Sequence, residues 1–454
     1  MSTLRISSVL LILTIFGFVF SFNSCKSDEV VFSEEGTTIE FNTGNFTNDS
    51  LDGIVIAANA KLLKAPITVK FAAGTYELNK QFGFKGINGL HIKGAGRLLT
   101  TFDFKNSVDN GFPIIGGSNM TFCDFTAKNT TKSLMEIREV TNIRFSNVGV
   151  VWDAQSTAPY GLYPTTCVNV IIENCYAKNA LDAGIYSGQN KNVIIRNNVS
   201  EGSVFGFEVE NSINTIVTGN TFKNNSNGGL IYDLTNLSVI TNGMNTLVEN
   251  NLIENNNMNN FGFEKNYGGF IGNAPVGVGL VLAANDNLEI RNNTFKNNNL
   301  LGITSITYFV VDTNYDPSAN PNFSAFNSAI SIHDNTFEYD ITQRNLVDPD
   351  PAKRPYGLNL ILLTYQAALM DPTSAPAVDY IIESQDYSPA IPGLVGERPY
   401  LGQTGQSVIE ASYLGLDQNT GEGTVVTSQN LADFAKPRSN AFKSFKQPEM
   451  VGCQ

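Results

Sequence analysis

Gly161, Gly184, Gly206 and Gly229 fall at steps of 23, 22 and 23, and each opens a short segment rich in apolar residues. If each step is one turn of a stacked coil, the four segments lie side by side and can be compared residue by residue. Two positions past the glycines stand Tyr163, Tyr186, Glu208 and Ile231; four positions past stand Thr165, Gly188, Glu210 and Asp233. On a strand both offsets point outward from the same face. The register therefore predicts that Glu208, Glu210 and Asp233 share one patch, with neighbouring strands roughly 4.8 Å apart and alternate residues roughly 7 Å apart. Carboxylates this close repel, so one gains a proton or the group holds a cation. A proton-sharing pair supplies the general acid and base of glycosidic chemistry, whereas a calcium-like cation on Glu210 and Asp233 would neutralise an acidic polysaccharide. Gly188 would leave a gap for a ligand beside the carboxylates, and Tyr163 and Tyr186 would stack against sugar rings. One coil earlier the same register brings in Glu136 and Arg138. Asp182 sits in the turn before the tyrosine strand, where an aspartate first serves to cap backbone amides and only second to do chemistry. The plain alternative is a solvated acidic strand face with tyrosines that merely stiffen the stack.

The elements that must carry these residues are visible in a second register. Asn169-Val-Ile-Ile-Glu-Asn174 returns as Asn192-Val-Ile-Ile-Arg-Asn197, again 23 residues on. In each copy the first and third apolar residues can point inward and the middle one outward. Asn220, Asn251, Asn293 and Asn335 open further echoes at steps of 31, 42 and 42, which suggest inserted loops or two coils per interval. Asparagine tolerates a tight corner and can bond to its equivalent one coil away, and Phe222, Ile253, Phe295 and Phe337 would form an inward column. This pattern predicts an all-β, right-handed parallel β-helix. A β-sandwich lacks a fixed 23-residue echo, and a propeller blade needs about 40 residues of four-strand pattern.

The chain divides accordingly. Residues 1–25 have the form of a lipoprotein signal, with Arg5, an apolar run from Val9 to Phe20 and Cys25 as the lipidated residue. Lys26-Ser27-Asp28-Glu29 resembles an acidic tag for the outer cell face, so the expected location is the outer membrane, lipid-anchored and facing the surface, or otherwise the periplasm. A tether and cap is expected over 26–60, with a short helix at Leu51 to Leu63, then the β-helix over 61–342 and a wrapping extension over 343–454. A net charge of −13 with 29 basic residues excludes nucleic acid and anionic membrane as natural partners, leaving the lipid as the only membrane contact. Cys123, Cys167, Cys175 and Cys453 are an even set in an exported chain, and their pairing stays open. Seven methionines and two histidines, His91 and His333, do not make a metal-handling cluster. Trp152, in a longer connection with Asp153 and Tyr160, is expected either as a contact of a loop over the tyrosine face or as a core anchor.

Tyr160-Gly-Leu-Tyr-Pro164, Asp182-Ala-Gly-Ile-Tyr186 with Gly188-Gln189, Phe207-Glu-Val-Glu-Asn-Ser212, Gly228-Gly-Leu-Ile-Tyr-Asp-Leu234 and Pro275-Val-Gly-Val-Gly279 resemble a family of exported parallel β-helix repeat lipoproteins without an established activity, within the pectate-lyase-like superfamily. The resemblance spans roughly Thr38 to Asp340. It implies an exported c-type-cytochrome-like protein as a neighbour, and hence a second expectation, a non-catalytic accessory role in which the acidic face docks that redox partner. The signatures of polygalacturonases and alginate epimerases are missing. The leading expectation is binding of a polysaccharide or oligosaccharide, with processing of the lyase or glycoside hydrolase type. Glu208, Glu210 and Asp233 are the catalytic candidates, and Tyr163, Tyr186, Asp182, Gln189 and Asn211 the substrate-binding ones.

Overall fold

The computed structural model describes residues 31–33, 36–235, 237–340, 356–371, 378–388, 393–402 and 407–413, with short pieces of the tail at 426–428, 434, 442–446 and 452–453. The expected signal peptide and Cys25 lie outside these residues. Among the described residues no helix is long and apolar enough to cross a membrane.

Each coil has three strands, seen plainly in Lys191–Arg196, Val199–Glu201 and Phe205–Glu210. They pair in parallel with Val168–Glu173, Tyr176–Lys178 and Ala183–Gly188 of the coil before, which defines three sheet faces. Alternation does what the sequence implied: Val170, Ile172, Val193 and Ile195 have no exposed surface and line the interior. Corners turn on asparagines with left-handed backbone, Asn169 at φ 60°, Asn192 at 59° and Asn197 at 57°, where a short amide side chain carries the smallest penalty after glycine.

The amides at the corners form ladders. On the outside Asn142 donates to Asn119, Asn169 to Asn142 and Asn192 to Asn169 at 2.8–3.0 Å. Inside, Asn198, Asn220, Asn251, Asn293 and Asn335 form a buried ladder in which each Nδ2 donates to the next Oδ1 at 2.9 Å. Beside it, Phe222, Ile253, Phe295 and Phe337 pair one above another as expected. The long steps are single coils with insertions, because Ile213 pairs with Met244, Met244 with Asp286 and Asp286 with Ser328. The insertions are residues 233–243, 255–277 and 307–327.

Both ends extend further than the repeat suggested. Gly36–Phe41 already pairs in parallel with Ile67–Phe71, so stacking starts before residue 61. The cap helix runs Asn48–Asn59 rather than 51–63, because Thr47 and Ser50 form a reciprocal capping box that fixes its start. At the other end Val378–Glu383 and Val408–Ser412 continue the third face beyond residue 342.

The tail returns along the first face. The Phe442 amide donates to Glu289 at 3.0 Å, and the Lys443 amide to Asn245 at 2.8 Å. Cys453 is disulfide-bonded to Cys123, 330 residues away and several coils down the stack. Between these anchor points Ile171, Ile194, Ile216 and Leu247 point outward yet are buried. Cys167 and Cys175 are free and buried, and burial pushes both thiols up to about 12, so neither is a nucleophile. Trp152 is a core anchor, with its indole N–H on the Thr130 carbonyl at 2.8 Å.

Cross-linking residues this far apart removes much of the unfolded chain's freedom. The Cys453→Ser variant should lose up to about 5 kcal/mol in urea unfolding, and dithiothreitol should weaken the wild type but not the variant.

Candidate functional site

Three of the four register glycines are neighbours as expected: Ile185 pairs with Leu162 and with Phe207, which sets Gly161, Gly184 and Gly206 one above another. The fourth is Gly228, not Gly229, because Phe207 pairs with Gly229 and Glu210 with Tyr232. Two adjacent glycines made the choice ambiguous in sequence, and packing resolves it. Gly228 lies so close to the Gly279 carbonyl that an added Cβ would sit 2.2 Å from it, while Gly229 makes room for the Phe207 ring. A one-residue slip sends every side chain to the opposite side of a strand. Asp233 therefore leaves the patch, and Leu230 and Tyr232 replace Ile231 and Asp233 in the two columns.

Asp233 instead organises a corner. Its carboxylate accepts the Asn211 amide at 3.1 Å, the Gly243 amide and, at 3.4 Å, the Asn285 side chain. With its oxygens turned to N–H donors, it forms no cation bed with Glu210. Among the described residues no group of three His, Cys, Asp or Glu side chains could hold a metal ion. Gln189 and Asn211 are also drawn away from the cluster. Gln189 accepts the amides of Val239 and Ile240, and Asn211 donates to the carbonyls of Leu234, Ile240 and Thr241, so both fasten the 233–243 insertion.

What remains together is a cluster of three carboxyl groups and five tyrosines on the outer side of the third face. Glu208 stands beside Tyr186 and Leu230, and Glu210 between Gly188 and Tyr232. Tyr186 lies across Gly188, filling the expected gap, and its hydroxyl donates to Glu210 at 2.8 Å. Tyr232 donates to the other oxygen of Glu210 at 2.9 Å. Asp182 does not cap backbone amides as its turn position suggested. One of its oxygens accepts the Tyr267 hydroxyl at 3.2 Å, and the other closes no good hydrogen bond, although Tyr160 and Glu208 approach the group. Glu208 is fully buried, yet neither of its oxygens closes a good hydrogen bond, and the phenol that approaches it is Tyr232. Its hydrogen-bonding neighbours are the carboxyl groups of Asp182 and Glu210, so protons must be shared along the row. Tyr160, Tyr163 and Tyr186 stack beside them with centroids 4.4–4.8 Å apart.

The sequence reading placed this patch in solvent, but it is covered. The 255–277 insertion carries two short helices, Phe261–Glu264 and Gly269–Asn273, whose Phe261 and Ile271 join the apolar cluster around Leu181, Phe205, Leu230 and Tyr232. Lys265 ties this cover down by donating to the carbonyls of Gln155 and Ser156 at 2.8 and 2.6 Å. Tyr160 and Tyr163 are partly exposed and Tyr267 is 38 % exposed, so the tyrosines form the accessible rim of a buried acidic floor. Tyr232 was lost to sequence reasoning through the slipped register. Tyr267 carried no repeat signal, because it belongs to an insertion.

Electrostatics separate the three acids. Burial raises all of them, Asp182 to about 7, and the charges of Asp182 and Glu210 drive Glu208 well above the usual carboxylate range. Glu210 is raised least firmly, because burial is opposed by hydrogen bonds from Tyr186 and Tyr232 that favour its ionised form. The donors from Tyr186 and Tyr232 thus favour a charge on Glu210 over one on Glu208.

Residues 88–242 match the family described as right handed beta helix region. No curated protein matches the chain in sequence. Among solved structures it is similar to the mannuronan C-5 epimerase AlgE6 A-module of Azotobacter vinelandii, at 15 % identity over 81 % of this chain and 91 % of that one, with a TM-score of 0.42. It is similar to DFA-IIIase from Arthrobacter chlorophenolicus A6 without its lid, at 11 % identity over 82 % and 91 % of the two chains, with a TM-score of 0.47. A third is the catalytic unit of a GH87 alpha-1,3-glucanase from Streptomyces thermodiastaticus strain HF3-3, at 12 % identity over 88 % and 68 %, with a TM-score of 0.41. The protein is a right-handed parallel β-helix, as its repeats predicted.

The raised carboxyl groups bind protons more tightly in the folded state than in the unfolded one. Their stabilisation is fully present below about pH 4 and is lost as pH rises through the folded values, near 7 for Asp182 and for the buried Glu383. Glu173 opposes this at the acid end: burial would raise it, but hydrogen bonds from Arg196 and Arg144 hold it below its ordinary value. Calorimetric melting temperature should therefore be highest near roughly pH 4 to 4.5 and fall by about pH 8, and Glu208→Gln should flatten that fall.

Proposed function

We propose that this is an exported, lipid-anchored β-helix protein that binds a glycan at the tyrosine rim and hydrolyses a glycosidic bond with the carboxyl groups beneath it. The observation that carries this reading is Glu208: a fully buried acid whose oxygens close no good hydrogen bond and which is held between two other acids. Leaving such a group unsatisfied costs stability, and a leucine in its place, like Leu230 in the next coil, would pack without penalty. Acids poised to give and take protons are kept at that cost where protons must move.

The roles follow from the donors each acid receives. Glu208, pushed toward its neutral form by burial and by the two neighbouring acids, gives its proton to the leaving oxygen. Glu210, ionised and steadied by Tyr186 and Tyr232, takes a proton from the attacking water. The proton that Glu210 takes up then passes back along the row to Glu208, with Asp182, titrating near 7, as the group that buffers it, which restores the starting state. A glycoside between them would replace the hydrogen bonds that join the carboxyl groups. Entry requires the 255–277 insertion to lift, which costs the Lys265 and Tyr267 contacts. The Cys123–Cys453 disulfide suits the oxidising compartment that the signal implies. The accessory reading rested on an exposed acidic face, and these carboxyl groups are buried.

Reducing-end release from a polysaccharide panel tests the proposal. Glu208→Gln and Glu210→Gln should each lose about 10²–10⁴-fold in turnover. Asp233→Asn should lower the melting temperature while sparing turnover. No product and no binding with any polysaccharide would overturn the reading.

A further inference from the structure

The ligand's charge class can be read from what surrounds the site, given the carbohydrate reading above. Every ionisable group in the cluster is an acid or a phenol: Asp182, Glu208 and Glu210, with Tyr160, Tyr163, Tyr186, Tyr232 and Tyr267 around them. Glu136 adds a further carboxyl group beside Tyr163. Two cations approach, and both are engaged. Arg138 makes an ion pair with Glu136 at 3.3 Å, and it stands beside Thr165, three strands from Glu210. Lys265 sits on the covering insertion with its ammonium on two backbone carbonyls.

We infer that the site takes an uncharged glycan and excludes uronic-acid and sulfated polymers. A carboxylated sugar brought onto the tyrosine rim would approach ionised Glu210 in a desolvated setting where like charges repel strongly. Among the described residues, the basic side chains beside the rim, Arg138 and Lys265, are already engaged. A neutral sugar meets no such opposition. Its apolar ring face packs on Tyr160 and Tyr163, and its hydroxyl groups can donate to the oxygens of Glu208 and Asp182 that close no good hydrogen bond within the fold. The same unpaired oxygens distinguish a hydroxylated ligand from a purely apolar one, which would bury them a second time.

The test is equilibrium binding to the intact lipid-free protein, with inulin, levan and dextran as uncharged probes and alginate, polygalacturonate and heparin as anionic ones, each with and without calcium. Binding to at least one uncharged probe, with anionic probes at least tenfold weaker, is the expected result. Tyr163→Ala should weaken that binding about tenfold or more, and Arg138→Ala should leave it unchanged within twofold. Binding to an anionic probe alone, whether or not calcium is needed, or its loss in Arg138→Ala, would overturn the inference while leaving the carbohydrate reading in place. Absence of binding to every probe would overturn both.

Discussion

Everything in this molecule depends on the register between one coil and the next. Parallel strands place each residue beside its equivalent a coil away, so a side chain's environment is set by the residues roughly 22 or 23 positions before and after it. The buried asparagine ladder enforces this spacing. Each amide donates to its neighbour and to a strand carbonyl, so a coil that slipped by one residue would strand several buried polar groups at once. Insertions are tolerated only where they leave the ladder intact, which is why three long loops project from single coils without disturbing their pairing.

The fold was legible for the same reason. Asn169–Asn174 and Asn192–Asn197 reveal period and polarity together, and the phenylalanine column confirms the stack through coils of unequal length. Boundaries were less legible, because Gly36–Phe41 and Val408–Ser412 join the stack through backbone pairing without repeating the signature residues. The site was legible in part. Glu208, Glu210, Tyr163 and Tyr186 follow from the glycine register, whereas Asp233 was misplaced because Gly228 and Gly229 are equally good in sequence and opposite in parity. Burial was beyond reach, since the cover is an insertion whose packing no repeat can announce.

That cover changes the character of the acids. On an open strand face three carboxylates would be ordinary solvated charges. Beneath Phe261, Ile271 and Tyr267 they become a proton-sharing row whose ionisation is set by how many hydroxyl donors each receives. Tyr186 and Tyr232 thus do more than stiffen the stack, because they decide which acid stays charged. The interior core and this outer cluster are separate layers of side chains sharing one sheet, and the fold's stability resides mainly in the first.

The tail has a consequence for how the chain matures. Cys123 belongs to an early coil, while Cys453 is carried by a segment that also docks on Asn245 and Glu289, several coils further along. The two sulfurs meet only when the intervening coils are all present and each has its proper rise. The bond therefore gauges the length of the finished solenoid: a molecule with a missing, extra or slipped coil would bring the thiols to the wrong height and leave its tail unfastened.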